Sequence, residues 1–313
     1  MSTIVVCGEA LMDVFALADT STGMALEARL GGSPFNVAVG LARLGRPVTF
    51  LGAISTGFLG ERLVRALRSE GVDTSPIVRV DAPTTLSLVG VDSAGVPSYS
   101  FYGVGGADRQ LAAADVQRLP ADAMALHVGS FAFVVEPVAA TLRALVEREH
   151  RGTVVSYDPN VRLNVEPDLA RWREALEWML ARAHVLKISA EDLALLCPGL
   201  SAADFIDRAL ADGVRLVVVT RGASGAVAGT ASGRAAVPAR SVSLVDTVGA
   251  GDSFQAALLA WLGHNDLLGV DAVCRIEGRR LKAALRFACI AAGLTCSRRG
   301  ADLPTRGEIA SIE

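Results

Sequence analysis

The sequence predicts an α/β fold with a mainly parallel sheet that carries helices on both faces. Its 313 residues are 51% hydrophobic and 20% charged, enough to bury the core of one large domain or two small ones. Short β-branched runs alternate with segments in which apolar residues recur every three or four positions, the pattern of strand–helix–strand units. Two segments break this alternation, and they predict a separate small sheet.

The strands and helices are predicted in order along the chain. Six short apolar runs bounded by glycine, charged or turn residues are predicted to be buried strands. They are residues 4–7, 48–53, 125–128, 154–157, 185–188 and 216–220. Five segments with an apolar stripe at helical spacing are predicted to be helices, namely residues 35–44, 59–70, 138–150, 169–181 and 202–211. Because parallel strands need crossover connections, these helices are expected on both faces of the sheet.

The two exceptions are residues 16–30 and 84–106, which have strand patterns without intervening helices. Apolar residues alternate at Leu86, Leu88, Phe101 and Tyr102, and a turn is predicted at 92–95. Both segments flank glycine-rich stretches. They are interpreted as one sheet that forms a lid over a site within a single domain, 1–313, and an ordinary surface hairpin is the alternative.

Composition and charge exclude several classes of protein. A net charge of −3 lacks the positive surplus that binding to nucleic-acid phosphates requires. The apolar runs are far shorter than the ~20 residues of a membrane helix, and residues 1–6 lack the basic segment of a signal peptide. The five cysteines form neither a CxxC motif nor an even framework. No nucleic acid or membrane partner is expected, and the predicted location is the reducing cytosol.

The most specific motif is Asp-Thr-Val-Gly-Ala-Gly-Asp-Ser-Phe at 246–254, followed at once by an apolar helix. Gly249, Ala250 and Gly251 leave backbone amides bare at a helix N-terminus, where the helix dipole also favours an anion. Asp252 in the first turn is either a cap that complements the dipole or a general base that faces a phosphoryl acceptor. The whole motif predicts an anion hole beside a carboxylate.

Other nucleotide and catalytic motifs are disfavoured. The chain has no Gly-Lys-Ser/Thr and contains only two lysines, Lys187 and Lys282, which excludes a Walker A loop. Phe254 replaces the third glycine of the dinucleotide fingerprint, which argues against a dehydrogenase. Ser130 lacks the Gly-x-Ser-x-Gly turn of a hydrolase, and Lys187 is interpreted as a strand-end lysine rather than a Schiff base. The four histidines have no metal-binding spacing.

A second glycine-rich segment, residues 31–45, predicts a helix start that can hold a ligand. Gly31 and Gly32 precede a serine cap and a first-turn proline. Asn36 in the opening turn is either a cap or a donor to a ligand hydroxyl. Asp13 follows the first strand, at the edge where open α/β sheets bind ligands, and a turn carboxylate is the alternative reading.

Segments 31–45 and 246–262 resemble the two signatures of the ribokinase-like (PfkB) family of sugar kinases, and the similarity covers essentially the whole chain. Residues 157–162, Tyr-Asp-Pro-Asn-Val-Arg, are similar to a segment common in the bacterial fructokinases of that family. Residues 219–225 and 291–301 resemble its nucleotide-side elements. The resemblance implies a three-layer α/β/α sandwich with a mainly parallel central sheet and a small β-sheet lid that often pairs between subunits.

The resemblance also implies roles for the matching residues. Asp252 is the implied base, and Gly249, Ala250 and Gly251 form the implied anion hole. The implied sugar ligands are Asp13, Gly31, Gly32, Asn36, Tyr102, Asn160 and Arg162. The implied ATP contacts are Ser189, Thr220, Gly222 and Gly225. Asp192 is implied to contact Mg²⁺ through water in an altered motif, Ser189-Ala-Glu-Asp192 where the family has Asn-x-x-Glu, and Asp246 is implied to lie near a monovalent cation such as K⁺.

The expected function is ATP-dependent phosphorylation of a sugar hydroxyl, with fructose as the first choice, by a homodimer that pairs through the lid. Other acceptors within the family, such as 2-keto-3-deoxygluconate or a nucleoside, are one alternative. A sugar-binding regulator without turnover is another, although it has no need for Asp252. A carboxylate substrate is disfavoured because Asp13 repels it and because it needs a dedicated cation.

Overall fold

The structure is a computed structural model that describes residues 2–91, 97–116 and 119–312, so the turn predicted at 92–95 lies outside the described residues. Its strands are β1 (Thr3–Cys7), β2 (Leu11–Thr20), β3 (Gly23–Gly31), β4 (Val48–Leu51), β5 (Ala53–Ser55), β6 (Val78–Val80), β7 (Leu86–Val91), β8 (Pro97–Tyr102), β9 (Ala123–Gly129), β10 (Val154–Asp158), β11 (Val185–Ser189), β12 (Leu216–Thr220), β13 (Ala226–Thr230) and β14 (Gly233–Val237). Its helices are α1 (Ser33–Arg43), α2 (Phe58–Ser69), α3 (Val138–Glu149), α4 (Leu169–Leu180), α5 (Ala190–Leu196), α6 (Ala202–Ala211), α7 (Ala250–His264), α8 (Gly278–Cys296) and α9 (Arg306–Ala310).

The central sheet has the strand order β14-β13-β12-β11-β10-β9-β1-β4. Strands β12 through β4 in this order are parallel, whereas β13 and β14 extend the sheet as an antiparallel hairpin. All six predicted strands are confirmed. The predicted strand 48–53 is divided at Gly52 into β4 and β5, because β5 leaves the central sheet to pair with β6.

Helices cover both faces of the central sheet, as the sequence predicts. One hydrophobic core contains residues of α1, α2, α7 and α8, and the other contains residues of α3, α4, α5 and α6. Neighbouring residues of β1 divide between them, because strand side chains alternate: Ile4 and Val6 lie in the first core, and Val5 and Cys7 in the second. The fold is the expected three-layer α/β/α sandwich. Among the described residues, no helix has the length and apolar character needed to cross a bilayer.

A separate four-stranded sheet has the order β3-β2-β7-β8. It joins the two helix-poor segments in one sheet, as predicted, but its first strand begins at Leu11 rather than near residue 16. Asp13 therefore lies within β2 and not at the end of the first strand, which corrects its predicted position. The chain leaves the central sheet at Gly8, whose φ of 144° suits glycine and whose added Cβ would lie 2.5 Å from Cγ of Pro34.

Helices α1 and α7 pack side by side in the first core, although they are far apart in sequence. The contact depends on Gly40 in α1. A Cβ atom added there would lie 2.7 Å from Cβ of Ala256 in α7 and 2.6 Å from Cδ2 of Leu303. Both distances are too short for carbon atoms, so only glycine allows the two helices this separation.

We expect Gly40→Val to reduce the free energy of unfolding by about 1–3 kcal/mol, the usual cost of overpacking a core. Urea denaturation measures this change. Gly307→Val is the matched control, since Gly307 is an exposed helical glycine with no atom within 4 Å of an added Cβ. Equal stability of the two variants would contradict the packing role of Gly40.

Candidate active site

A cavity of about 580 Å³ opens at the carboxyl ends of β1, β9 and β10. At β1 the strand order reverses, because β4 lies on one side of it and β9 on the other. Ligands of open α/β sheets bind at such a reversal. The small sheet supplies one wall of the cavity with Asp13, Phe15, Ser87, Val89 and Phe101. The volume suits a small molecule enclosed between the two sheets.

The N-terminus of α7 opens into this cavity. Gly249 has a left-handed φ of 77°, and an added Cβ would lie 2.6 Å from Cβ of Ala301, so the turn requires glycine. The Asp246 carboxylate fixes the turn, because its oxygens accept hydrogen bonds from the amides of Val248 (3.1 Å) and Gly300 (2.8 Å). Gly249 and Gly251 line the cavity, whereas Ala250 begins the helix without lining it. Bare amides at a helix start have the geometry to bind an anion, the role that the motif predicts for them.

Asp252 lies in the first turn of α7 and is held by the first turn of α1. Its Oδ1 accepts a hydrogen bond from the hydroxyl of Ser33 (2.7 Å), and its Oδ2 accepts one from Nδ2 of Asn36 (2.8 Å). Burial raises the pKa of Asp252 above its usual value, while these bonds and the charges of Lys187 and Arg162 oppose the shift. The carboxylate is thus oriented towards the cavity beside the bare amides.

Most of the predicted sugar ligands meet in the cavity, namely Asp13, Gly32, Asn36, Asn160 and Arg162. The amide of Asn36 contacts Asp252, so in this structure it orients the carboxylate. Burial raises the pKa of Asp13. A hydrogen bond with Ser87 and the positive charge of Arg162 oppose this rise. Gly31 leaves room for the carboxyl group of Asp13, because a Cβ added to Gly31 would lie 2.2 Å from Oδ2 of Asp13.

Like Gly31, Tyr102 is a predicted sugar ligand that does not line the cavity. Its side chain is 62% exposed, whereas the preceding Phe101 lines the cavity and packs edge-on against Phe131 with ring centroids 5.3 Å apart. The reason is the alternation of side chains in β8, which sends neighbouring residues to opposite faces. Phe101, and not Tyr102, is therefore the side chain at this end of β8 that lines the cavity.

The predicted ATP contacts do not line the cavity but lie along the same sheet edge. Ser189 ends β11 and caps α5 by accepting a hydrogen bond from the amide of Asp192 (2.9 Å). Thr220 ends β12, and Gly222 lies in the turn that follows. Gly225 has a structural requirement as well, since an added Cβ would lie 2.1 Å from the carbonyl oxygen of Val237.

A buried ion pair lies beneath the anion site, and the sequence reading missed it. Nζ of Lys187 lies 2.7 Å from Oδ2 of Asp158, and both side chains are buried. A Cβ added to Gly251 would lie 3.1 Å from this Nζ, which places the ammonium beside the helix start. Burial, together with the Asp158 charge, raises the pKa of the nearby Asp192 to about 6. The pattern Tyr-Asp-Pro-Asn after a strand was the available signal for Asp158.

Two further cavity residues were also missed, Glu9 and Ser130. Ser130 has a φ of 53° and Asn160 a φ of 41°, conformations that non-glycine residues rarely adopt. Ser130 directly follows β9, and Asn160 lies two residues after the end of the neighbouring strand β10. Strained backbone of this kind concentrates at binding sites. The strand-end position was the signal that could have identified Ser130, and the Gly-Glu pair after β1 the signal for Glu9.

Taken with the fold, an anion site beside an oriented carboxylate in a polar cavity defines a phosphotransferase that acts on a small polyhydroxy acceptor. The chain belongs to the pfkB family of carbohydrate kinases, whose family profile matches residues 1–306. A fructokinase from Rhizobium leguminosarum bv. trifolii is 36% identical over 285 residues, which cover 89% of this chain and 85% of that protein.

Solved structures agree with this assignment. Fructokinase from Xylella fastidiosa with bound ATP has a TM-score of 0.89 at 30% identity and covers 99% of this chain, with 97% of that chain matched. Fructokinase from Vibrio cholerae O395, in a form with bound fructose, ADP and calcium ion, has a TM-score of 0.83 at 27% identity. That match covers 99% of this chain and 98% of the other. The chain is therefore a sugar kinase in fold and in family.

We expect Lys187→Met to reduce the free energy of unfolding by about 3–5 kcal/mol, because it leaves the carboxylate of Asp158 buried without its partner. Chemical denaturation measures the change. Lys282→Met, which replaces the exposed second lysine of the chain, is expected to be nearly neutral. Equal losses of unfolding free energy in the two variants would show that the buried ion pair does not stabilise the fold.

Proposed function

We propose that this kinase transfers the γ-phosphoryl group of ATP to a hydroxyl of fructose. The observation that carries the proposal is the placement of Asp252, which Ser33 and Asn36 orient beside the bare amides of Gly249 and Gly251. A base and an anion site at one point are what transfer to an alcohol needs, because such reactions depend on positioning and charge stabilisation.

In this mechanism Asp252 accepts the proton of the attacking hydroxyl. The hydroxyl oxygen bonds to the γ-phosphorus, and the bond from phosphorus to the bridging oxygen of ADP breaks. The amides at the start of α7 stabilise the negative charge on the transferred group, and Lys187 adds a buried positive charge nearby. Phe101 and Phe15, from the small sheet, reduce access of water to the acceptor side.

Mg²⁺ is the proposed metal, held through its water molecules. In the described part of the chain, no group of three or more His, Cys, Asp or Glu side chains could ligate a metal directly. Two buried carboxylates, Asp158 and Asp192, fit a hydrated Mg²⁺, since Oδ1 of Asp158 has no hydrogen-bond partner there. When bound, the ion neutralises phosphate charge. For K⁺, Asp246 fixes the adjacent loop, and backbone carbonyls are the proposed ligands.

The proposed nucleotide site follows the sheet edge from the start of α7 towards β11 and β12, with Ser189, Thr220, Gly222 and Gly225 near ATP. Support comes from their position at or beyond the carboxyl ends of β11 and β12, close to α7, since a Cβ added to Gly251 would lie 3.1 Å from Nζ of Lys187 in β11. All five cysteines are free thiols, which fits the cytosol that we propose as its location.

Fructose is the proposed acceptor because carboxyl groups, which can bind hydroxyls, outnumber cationic side chains around the cavity. Among the described residues that line it, Glu9, Asp13 and Asp252 carry carboxyl groups, and Arg162 is the one cationic side chain. The guanidinium of Arg109 instead lies 5.9 Å from the ring centre of Phe101. The Rhizobium relative and the two solved structures cited above are fructokinases as well. A keto-acid, a nucleoside and a regulator without turnover are not favoured.

We also propose a homodimer that forms through the small sheet. Its strands expose four large side chains, Leu17, Met24, Leu26 and Tyr102, each between 46% and 62% exposed. Met24, Leu26 and Tyr102 lie on the face opposite Phe15 and Phe101, which line the cavity, because side chains alternate along each strand. An apolar face beside the edge strands β3 and β8 favours pairing with a second copy, which would cover these three side chains.

The first prediction concerns the base. Asp252→Asn is expected to lower kcat by at least about 10²-fold with ATP affinity nearly unchanged, because it removes proton acceptance but keeps the size of the side chain. Steady-state kinetics and nucleotide titration measure the two quantities. Asp204→Asn is the control, since Asp204 is a first-turn carboxylate of α6. Near wild-type turnover of Asp252→Asn would identify Asp252 as a helix cap alone.

The second prediction concerns the acceptor. We expect kcat/KM for fructose to exceed that for 2-keto-3-deoxygluconate by at least about tenfold, or about 1.4 kcal/mol, because Asp13 repels the acid. Release of ADP measures both rates. Asp13→Asn should bring the two kcat/KM values closer together, because it removes the charge that repels the acid. A preference of the wild-type protein for the acid would overturn the choice of fructose and leave the kinase chemistry standing.

The third prediction concerns assembly. At micromolar concentration the protein should sediment as a dimer, and Leu26→Glu should convert it to a monomer by placing a charge in the apolar face. Leu195→Glu, on the exposed surface of α5, is the control and should remain dimeric. A wild-type protein that sediments as a monomer would rule out the proposed pairing.

A further inference from the structure

Glu9 is the most deeply buried ionisable side chain that lines the cavity and is not used by the mechanism above. It lies between β1 and β2, where the chain passes from the central sheet to the small sheet. The residue is 1% exposed, yet its side chain lines the cavity. Gly32 packs closely against the backbone of Glu9, because a Cβ added to Gly32 would lie 2.7 Å from the carbonyl oxygen of Glu9.

The hydrogen bonding of Glu9 is incomplete. Its Oε2 has no hydrogen-bond partner among the described residues, although the atom is shielded from solvent. A buried carboxyl oxygen without a partner costs free energy, so such atoms are rare unless a ligand satisfies them. The nearby Nδ2 of Asn160 lines the same cavity and also lacks a partner. A polar ligand in the cavity can supply both missing bonds.

We propose that Glu9 is a sugar-binding residue that recognises one hydroxyl of the acceptor through a neutral carboxyl group. In the neutral form its O–H donates a hydrogen bond and its other oxygen accepts one, which matches a sugar hydroxyl. The proposal rests on the proposed function for the class of ligand. It adds a specificity-determining residue on the β1 side of the cavity, apart from the base Asp252 and from Asp13 in the small sheet.

The surroundings of Glu9 favour its neutral form. Burial raises the pKa of Glu9 to about 8, and the charge of Asp108 adds to the shift. A hydrogen bond with Ser130, the Glu9 backbone amide and the charge of Arg162 oppose it. Near neutral pH the carboxyl is therefore protonated. Above pH 8 it ionises, loses its donor and adds a charge to a cavity that already contains Asp13 and Asp252.

The experiment compares Glu9→Leu, which removes the hydrogen bonds, with Glu9→Gln, which keeps a neutral donor and acceptor. At pH 7 we expect Glu9→Leu to raise KM for fructose at least about tenfold, since 1.4 kcal/mol is tenfold, and to leave KM for ATP within about twofold. Glu9→Gln should stay within about threefold of wild type. Glu174→Gln, an exposed residue of α4, is the control.

A pH series and deoxy sugars separate recognition from a structural role. Above pH 8 the wild-type KM for fructose should rise about tenfold per pH unit, whereas that of Glu9→Gln should stay level, because only the carboxyl titrates. The penalty of Glu9→Leu should disappear with the one deoxyfructose that lacks the recognised hydroxyl. Equal penalties with every deoxy sugar, an unchanged KM in Glu9→Leu, or an alkaline rise that persists in Glu9→Gln would each overturn the proposal.

Different results would contradict the proposed function and the proposed role of Glu9. A wild-type protein that turns over no sugar overturns the proposed function, and calorimetric titration of fructose into wild type and Glu9→Leu then tests Glu9 without turnover. Weaker binding by Glu9→Leu in that titration supports the recognition role, and equal binding overturns it. If Glu9→Leu does not fold, the pH series of Glu9→Gln against wild type decides the question.

Discussion

Two hydrogen bonds organise the candidate active site, because they join the first turn of one helix to the first turn of another. Ser33 and Asn36 in α1 both donate to Asp252 in α7. The bonds form because the helices lie in contact at Gly40, where no side chain separates them. Orientation of the Asp252 carboxylate is therefore a product of helix packing. The position of the bare amides beside it depends on the same packing, since they belong to the same helix start.

A polar network continues beneath this centre and ties α7 to the central sheet. Nε2 of Gln255 donates to the hydroxyl of Ser156 (2.6 Å), which also lies 3.2 Å from Nδ1 of His127. Burial lowers the pKa of His127 to about 3, so the ring is neutral and serves as a hydrogen-bonding group. The bond of Gln255 ties α7 to β10, and the Lys187–Asp158 pair joins β11 to β10 within the sheet beneath it.

The sequence allowed the fold to be predicted where a local pattern decides the structure. The six buried strands and five amphipathic helices have clear periodicity, and the glycine motif before α7 has few alternatives. The hairpin of β13 and β14 and the short helix α5 were missed, because their runs of five to seven residues carry too little periodicity. The departure of β2 from the central sheet depends on the backbone of Gly8, which residue patterns do not reveal.

Within the site, sequence identified which residue types carry chemistry but not which atoms meet. Asn36 was assigned to the sugar, yet its amide contacts the base, because that contact depends on how α1 and α7 pack across 216 positions of chain. Tyr102 was preferred over Phe101, although the direction of neighbouring side chains in β8 depends on strand register. Glu9 was missed although it follows β1, because residue patterns do not reveal that its side chain is buried against a polar cavity.

The long separation between Asn36 and Asp252 has a consequence for synthesis of the protein in the cell. A ribosome that adds about 5–20 residues per second needs roughly 10–45 s to make the 216 positions between them. Throughout that time α1 can pack on β1 and β4, which are made early, but it lacks α7, so its side at Gly40 stays uncovered. A growing chain therefore exposes an apolar helix face of the kind that chaperones cover during synthesis.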